Sequence, residues 1–542
     1  MRQQRFDQIG RWLVPLFFVA WLGLGLTIFD DYGVTFDDAI QRRHGLISAD
    51  YLNTYFHWYL GNNEPDYDLM DYEHRYYGTL FSMVGYMLEC WLDLETFREF
   101  HLVRHLMVFL LFWVATVVFY RMLHRQFQSW FWALLGTLIL ILSPRIFAHA
   151  FFNVKDLVML SAYIYCMGSL SRLIDSQKWG WLLWHGFLTG VAINVRILGV
   201  VVPAFTLGWI LFHILAQDKP WLALRSWIPK VAVYGLVSFA FTVLFWPYLW
   251  ENPVGNLLES FSVMGKYIWA GQVLLFAEYF QAQDIPWFYL PAWMLITIPL
   301  AYWVLFWRGV VPITGGLLGK LRKWDWSWMH DRRMRYEAMH LGFFLMPILI
   351  VLIKQSTLYD GWRQMFFIYP SFVAIALTGL WKWSEAWNRK PNPNWRWALW
   401  IGVTLSLGQV TWKMIEIHPH QQVYFNALGG DNRVIRFEQD YWGVAYKQGF
   451  EAILAQDTSS CITFYVSNYP GTANWQYLPE DDKVLFCPKW KLKDRPKYYL
   501  TNYRGETEMK RYRSNAARFW RPFHIIEVDG NPILGVYQLR DD

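Results

Sequence analysis

Three aspartates lie next to long apolar stretches of the chain, at positions where a carboxylate can do acid–base chemistry. Asp37 and Asp38 are adjacent and follow the first apolar stretch, and Asp156 follows Lys155 in a turn between two later stretches. A carboxylate that accepts the proton of a hydroxyl group makes that oxygen a better nucleophile. We therefore interpret Asp37, Asp38 and Asp156 as candidate catalytic residues.

Three cations recur at the same ends of the apolar stretches. Lys155 precedes Asp156, and Arg196 and Arg363 each lie in a very short turn between two apolar stretches. A single Lys or Arg at a helix end usually extends its charge to the membrane interface, so one alone would indicate little. Because all three fall on one side, we predict that they bind a phosphate group attached to a lipid.

Four further polar residues lie near these positions in the chain. His74 and Arg75 belong to a polar cluster in the loop after the first apolar stretch, and Tyr359 and Asp360 come shortly before Arg363. We interpret these four as residues that bind an acceptor or support the loops. For His74 and Arg75 the alternative is a solvated loop held by Asp–Arg pairs.

The two adjacent aspartates begin a stretch with helical periodicity. Residues 36–60 place apolar and aromatic side chains at helical spacing, which predicts an amphipathic helix on the membrane surface. Acids at a helix N-terminus also cap free N–H groups, and capping remains the alternative to catalysis. Since neighbouring side chains do not share one helix face, Asp37 and Asp38 should play different roles.

The elements that position these residues are membrane helices. The chain is 55% hydrophobic, 20% aromatic and only 17% charged, whereas soluble proteins carry about a quarter charged residues. Stretches long enough to cross a bilayer predict about eleven spans, of which the third and fifth are short. The predicted spans are residues 12–29, 102–120, 130–142, 157–173, 181–195, 198–215, 231–250, 287–306, 339–353, 364–381 and 397–417.

The distribution of Lys and Arg predicts the orientation of these spans. Basic residues are concentrated at the N-terminal tip and in alternate loops, of which residues 308–335 are the most basic. The positive-inside rule then places the N-terminus in the cytoplasm, and an odd number of spans places the C-terminus outside. We predict a multi-pass protein of a bacterial inner membrane with a periplasmic C-terminus. The basic residues form no single patch, so nucleic-acid binding is not expected.

The sequence predicts two domains. Residues 1–417 form the membrane domain, with its first outer loop at residues 30–101, and residues 418–542 form a small α+β domain with strand-like alternation. In this tail Cys461 and Cys487 form either a disulfide or a pair of buried thiols. The spacings of Cys and His do not fit a zinc site.

Short motifs resemble a known group of membrane enzymes. The chain resembles the GT-C superfamily of polytopic glycosyltransferases, in its protein O-mannosyltransferase-like and aminoarabinose-transferase-like branch. The resemblance spans roughly residues 10–450, and the tail beyond it has no counterpart. The motifs are YGVTFDD at 32–38, RHL at 104–106, SPRIFAH at 143–149, FNVKD at 152–156, WPYLW at 246–250, YDGWR at 359–363, HPHQQVYFN at 418–426 and DYWG at 440–443.

The resemblance implies a GT-C catalytic domain and a role for individual residues. In this group the first-loop motif is usually Asp-Glu with the first acid as the base, so Asp37 inherits that role and Asp38 is a substitution. Lys155 and Asp156 resemble the second acidic site, and Arg363 resembles the phosphate ligand. The donors of this group are polyprenyl-phosphate sugars.

We therefore expect an inverting transferase that moves a sugar from a polyprenyl-phosphate donor to an acceptor hydroxyl on the periplasmic side. The expected partners are the donor, membrane lipid and an acceptor glycan, lipid or protein. No cofactor is required, and a divalent metal is possible but not indicated. The alternative is a transporter or flippase of lipid-linked sugars, although such proteins usually show internal repeats and charges near the middle of the membrane.

Overall fold

The chain folds into a helical membrane bundle and a smaller sheet-containing domain. A computed structural model describes residues 2–56, 67–265, 269–389, 394–491, 495–504 and 520–540. The helices are α1 Arg2–Ile28, α2 Phe36–Phe56, α3 Leu80–Trp91, α4 Phe97–Phe127, α5 Trp130–Ile141, α6 Pro144–Phe152, α7 Asp156–Ser176, α8 Trp179–Val195, α9 Val201–Leu215, α10 Pro220–Leu244, α11 Pro253–Gly265, α12 Tyr289–Thr297, α13 Leu300–Leu321, α14 Arg332–Lys354, α15 Tyr369–Asn388, α16 Asn394–Glu416, α17 Arg433–Arg436, α18 Tyr446–Leu454, α19 Tyr469–Gln476 and α20 Glu480–Lys483. The strands are β1 Gln272–Leu275, β2 Glu278–Gln281, β3 Ile462–Val466, β4 Phe486–Pro488, β5 Tyr498–Thr501, β6 Trp520–Val528 and β7 Asn531–Leu539.

In the described part of the chain, fewer than eleven helices are long and apolar enough to cross a bilayer. Among the described residues, eight helical segments are long and apolar enough to cross a bilayer, and α5 with α6 adds a ninth if this pair, bent by 71°, is one span. The predicted count of eleven is therefore not confirmed. The eight are Phe6–Ile28, Phe97–Phe127, Asp156–Ser176, Ile197–Leu215, Pro220–Leu244, Leu300–Leu321, Arg332–Lys354 and Arg363–Asn388.

Prolines mark two of the breaks between helices. The predicted span at 287–306 is divided into α12 and α13 at Ile298 and Pro299, where Ile298 is extended. Proline lacks an N–H group and disfavours helical backbone in the residue before it. Pro144 likewise begins α6 after the break that follows α5. In addition, α8 has only 17 residues, a length of about 26 Å.

The interior of the bundle is formed by α7 and α15. Their most apolar windows are 83% and 94% buried, whereas those of α1 and α10 are 22% buried and face outward. Close packing of α13 on α15 uses small residues, because a Cβ on Gly309 would lie 2.1 Å from the Ile375 carbonyl oxygen. The helices that carry Asp156 and Arg363 are thus the most firmly held.

The C-terminal domain is a five-stranded mixed sheet packed against helices. The strand order is β4-β3-β5-β7-β6, with β3 parallel to β4 and β5, and β7 antiparallel to β5 and β6. Cys461 and Cys487 form a disulfide across β3 and β4. The β6–β7 turn contacts the membrane bundle through Asp529, which pairs with Lys413 of α16. The predicted fold class, a helical membrane domain with a small α+β domain, is confirmed.

Candidate active site

The first turn of α2 separates the two adjacent aspartates. Asp38 points back into the protein and is fully buried, and its Oδ2 accepts hydrogen bonds of 2.7 Å from both the backbone N–H and the hydroxyl of Thr35. The burial raises the pKa of Asp38 to about 7. Asp37 points the other way into a cavity, and its side chain is 24% exposed. The predicted difference in role therefore has a geometric basis.

Arg363 lies at the centre of the site, at the start of the helical segment that leads into α15. The turn before it contains Asp360 and Gly361 with φ of +55° and +73°, and this left-handed backbone turns the chain sharply. The Arg363 side chain is 3% exposed, and its Nη1 lies 3.1 Å from Oδ2 of Asp156 and 3.9 Å from Oδ2 of Asp37. Its Nη2 lies 3.2 Å from Oδ2 of Asp360.

Aromatic rings fix the guanidinium of Arg363 from the sides. Its Cζ lies 4.3 Å from the ring centre of Trp442 and 4.9 Å from that of Tyr359. Tyr359 in turn stacks on Trp269, with centroids 4.5 Å apart and planes at 14°. Such contacts favour a planar cation and restrict its rotation. Arg363 is therefore held in place before any ligand arrives.

Asp156 anchors two arginines from different helices. It is the first residue of α7, its side chain is 1% exposed, and it pairs with Arg363 and with Arg196 at the end of α8. Asn153 donates a further hydrogen bond of 3.0 Å to its Oδ2. With these partners Asp156 is a positioning group for cations, and it does not line the cavity that contains Asp37.

Lys155 adds a third cation beside these pairs. Its Nζ lies 3.8 Å from the ring centre of Tyr77. Burial and the nearby charge of Arg196 lower the pKa of Lys155 to about 8, although Asp37 and Asp156 act in the opposite direction. Lys155, Arg196 and Arg363 are thus brought together around the two carboxylates, as their recurrence in the sequence predicts.

The cavity has a volume of about 470 Å³ and lies between the membrane bundle and the C-terminal domain. Asp37, Tyr359, Asp360 and Arg363 line it. The remaining lining residues come from α2, the β1–β2 hairpin and the chain after α16: Phe36, Ile40, Trp269, Gly271, Gln272, Leu274, Tyr279, Val434, Phe437, Glu438, Gln439, Asp440, Tyr441, Trp442, Asn468, Pro470, Asn502, Tyr503 and Arg504.

Three acidic or basic residues of this cavity are absent from the predicted site, namely Arg504, Glu438 and Asp440, of which Asp440 belongs to the motif at 440–443. Arg504, just after β5, donates hydrogen bonds of 2.6 Å to Oδ1 of Asp360 and to the carbonyl oxygen of Tyr441. Glu438 lies nearby, and burial together with the charge of Asp360 raises its pKa to about 8. The motif at 440–443 is a signal that could have directed attention to Glu438. No motif marks Arg504.

Several predicted residues lie away from the cavity. Asp38, Lys155, Asp156, Arg196, His74 and Arg75 do not line it. Arg75 instead packs over Tyr76 and Tyr248, and His74 lies 3.4 Å from Glu73. Burial lowers the pKa of His74. Within the described part of the chain, no group of three His, Cys, Asp or Glu side chains is arranged to hold a metal ion.

Part of the sequence and the fold are similar to known proteins. A search of curated protein sequences finds no match. Among solved structures, ArnT from Cupriavidus metallidurans bound to undecaprenyl phosphate is 13% identical, and the match covers 96% of this chain and 97% of that chain with a TM-score of 0.47. The apo oligosaccharyltransferase of Archaeoglobus fulgidus is 10% identical, with 88% and 65% covered and a TM-score of 0.49. Residues 82–250 match the family described as dolichyl-phosphate-mannose-protein mannosyltransferase. This sequence match confirms the resemblance to polytopic GT-C glycosyltransferases that the motifs indicated.

Proposed function

We propose that this protein is a membrane glycosyltransferase that moves a sugar from a polyprenyl-phosphate donor to an acceptor hydroxyl with inversion. The observation that carries the proposal is the pairing of a partly exposed carboxylate, Asp37, with the buried guanidinium of Arg363 at 3.9 Å in one cavity. One group accepts a proton, and the other binds a phosphate. A hydroxyl acceptor and a phosphate leaving group need these two functions side by side.

The placement of the cations supports a phosphodiester donor. The cations at the site are Lys155, Arg196, Arg363 and Arg504, and the carboxylates Asp37, Asp156, Asp360 and Asp440 equal them in number. Glu438 is left out of this count because its raised pKa favours the neutral form near pH 7. Arg363 is the cation that lines the cavity beside Asp37, and its guanidinium suits a phosphate oxygen. A lipid-linked sugar phosphodiester carries one negative charge, and the monoester released from it carries up to about two.

The chemical step follows from this geometry. Asp37 accepts the proton of the acceptor hydroxyl, and the oxygen attacks the anomeric carbon from the side opposite the phosphate. The bond between that carbon and the phosphate oxygen breaks, and its electron pair leaves with the polyprenyl phosphate. Attack from the opposite side inverts the configuration of the sugar. Arg363 stabilises the charge that develops on the phosphate, and such fixed cations often supply the largest part of catalysis.

Two further features support the class of donor and the place of reaction. The matched family is named for transfer from a dolichyl-phosphate sugar, which is a polyprenyl-phosphate donor. Basic loops at the other end of the helices support a periplasmic reaction and a bacterial inner-membrane location.

The experiment uses purified protein in liposomes with a panel of undecaprenyl-phosphate hexoses and pentoses, radiolabelled in the sugar. An enzyme releases undecaprenyl phosphate and forms a new glycoside, whose anomeric configuration is read by NMR. We expect inversion of configuration. Relocation of intact donor between leaflets without release would establish a flippase instead, and retention of configuration would contradict the single-step mechanism.

A further inference from the structure

Glu438 is an acidic residue of the cavity that the proposed reaction does not use. Its Oε2 is buried and has no hydrogen-bond partner among the residues that the structure describes. A buried polar atom without a hydrogen-bond partner costs stability unless a ligand or water supplies that partner. Because Glu438 lines the same cavity as Asp37 and Arg363, a bound substrate would complete it.

The titratable groups that interact with Glu438 come from three directions, and Asp37 and Asp440 line the same cavity. Asp360 and Arg363 face it from the turn before α15, Arg504 faces it from the C-terminal domain, and Tyr289 faces it from α12. Asp360 and burial disfavour a negative charge on Glu438, whereas Arg504 and Arg363 favour it. Arg504 already pairs with Asp360 at 2.6 Å and donates to a carbonyl oxygen. The cations are therefore largely engaged by other carboxylates.

We propose that Glu438 binds the sugar of the donor as a neutral carboxylic acid, by donating a hydrogen bond from its acid proton to a sugar oxygen. This inference rests on the proposed function. The sugar is the partner because it is attached directly to the phosphate, and Glu438 lines the same cavity as the arginine assigned to that phosphate. A neutral carboxylic acid can both donate and accept a hydrogen bond, which suits the hydroxyl groups of a sugar. An ionised carboxylate in this place could only accept hydrogen bonds.

An aromatic wall supports a sugar subsite at this position. Trp269 and Tyr359 stack with each other and line the same cavity. Aromatic faces pack against the C–H faces of sugar rings while carboxyl groups bind the hydroxyls at the ring edge. Glu438 and this wall therefore provide the two kinds of contact that hold a sugar ring.

The test measures binding without turnover. The affinities of wild type, Glu438→Gln and Glu438→Ala are determined for each member of the donor panel and for bare undecaprenyl phosphate. Glutamine keeps a donor in place of the acid proton, so we expect Glu438→Gln to stay within about threefold of wild type. We expect Glu438→Ala to weaken the best sugar-bearing donor by about tenfold, the effect of one hydrogen bond, and to leave bare undecaprenyl phosphate unchanged.

The pH dependence adds a readout that a structural role would not move. The neutral acid is present below its folded pKa, so the preference of wild type for the sugar-bearing lipid should decline as the pH rises through about 8. In Glu438→Gln this preference should not change with pH. Glu451→Gln, an exposed position on α18, is the matched control.

Three results would each overturn the proposed binding role of Glu438. Glutamine as damaging as alanine would mean that the ionised carboxylate is needed, and equal weakening of both lipids would mean a structural role. Either result overturns the inference, as does a wild type that binds no sugar-bearing lipid better than the bare one. Because affinity is measured without transfer, absence of turnover counts against the proposed function and not against this binding role.

Discussion

Replacing Asp156 with Asn tests whether this buried acid positions cations or takes part in proton transfer. The carboxylate is 1% exposed and pairs with Arg363, itself 3% exposed, and with Arg196, which is 16% exposed. Breaking a buried ion pair typically costs about 3–5 kcal/mol, because the remaining charge is left uncompensated. Arg363 keeps Asp360 at 3.2 Å, so we expect the lower end of this range, about 3 kcal/mol.

The same substitution has a predicted effect on catalysis. If the same amount, about 3 kcal/mol, is lost from stabilisation of the transition state by the displaced arginines, kcat/KM falls by about a hundredfold. Undecaprenyl phosphate should stabilise Asp156→Asn against heat more than it stabilises wild type, because its phosphate pairs with the released arginines. The limb of the pH profile of kcat/KM that reports the base should be kept, since we assign the proton to Asp37, whereas the loss of affinity on deprotonation of Lys155 should move to lower pH because Asp156 no longer raises the pKa of Lys155.

Thermal unfolding in detergent with and without undecaprenyl phosphate, and transfer as a function of pH, measure these effects. Disappearance of one limb of the pH profile in Asp156→Asn would show that Asp156 titrates in the reaction. Unchanged stability and activity would show that its ion pairs do not hold the site. Either result would refute the reasoning.

Three further predictions concern single residues. Arg196→Gln should weaken binding of undecaprenyl phosphate by about tenfold or more in a binding assay, because Arg196 shares Asp156 with Arg363. Arg75→Gln should not weaken it, because Arg75 packs over Tyr76 and Tyr248 instead, and equal effects would contradict the assignment. The cationic form of Lys155 is lost as the pH rises through about 8, so affinity for bare undecaprenyl phosphate should fall in this range. Lys155→Met should abolish this pH dependence. A fall in affinity that persists in the variant would show that another group causes it. Cys461→Ser should destabilise the C-terminal domain by about 3 kcal/mol, because the disulfide closes a loop with a sequence separation of 26. Denaturant unfolding measures this change, and an unchanged free energy of unfolding would show that the bond does not form.

The sequence predicts the gathering of charge at one end of the helices but not its internal pairing. Lys155, Arg196 and Arg363 could be placed near the membrane surface because each ends an apolar stretch. The pairing of Asp156 with both arginines depends on how α7, α8 and the segment before α15 pack together. Helical periodicity alone does not determine such packing. The sequence therefore predicts an acid at this position, whereas its pairing with both arginines is visible only in the structure.

The separation of Asp37 from Asp38 was predictable because it is local. Adjacent positions on a helix face different directions, and the first turn of α2 places Asp37 in the cavity and Asp38 on Thr35. The contributions of Glu438 and Arg504 depend on contacts between segments far apart in the chain. Arg504 reaches Asp360 across 144 positions. No local pattern encodes a contact of that kind.

The central claim is that Asp37 is the base, and a comparison of Asp37→Asn with Asp38→Asn tests it most directly. Single-turnover transfer of radiolabelled sugar is measured for both variants and for Asp93→Asn, an exposed aspartate of the same loop, with thermal unfolding as the check on folding. We predict that Asp37→Asn lowers the rate by about 10²–10⁴-fold, the contribution of a general base, while remaining folded. Asp38→Asn should lose about 1 kcal/mol of stability, because it weakens the hydrogen bonds from Thr35 to Asp38 at the start of α2, and should keep most of the transfer rate. Normal transfer by folded Asp37→Asn, or its loss only in Asp38→Asn, would contradict the account.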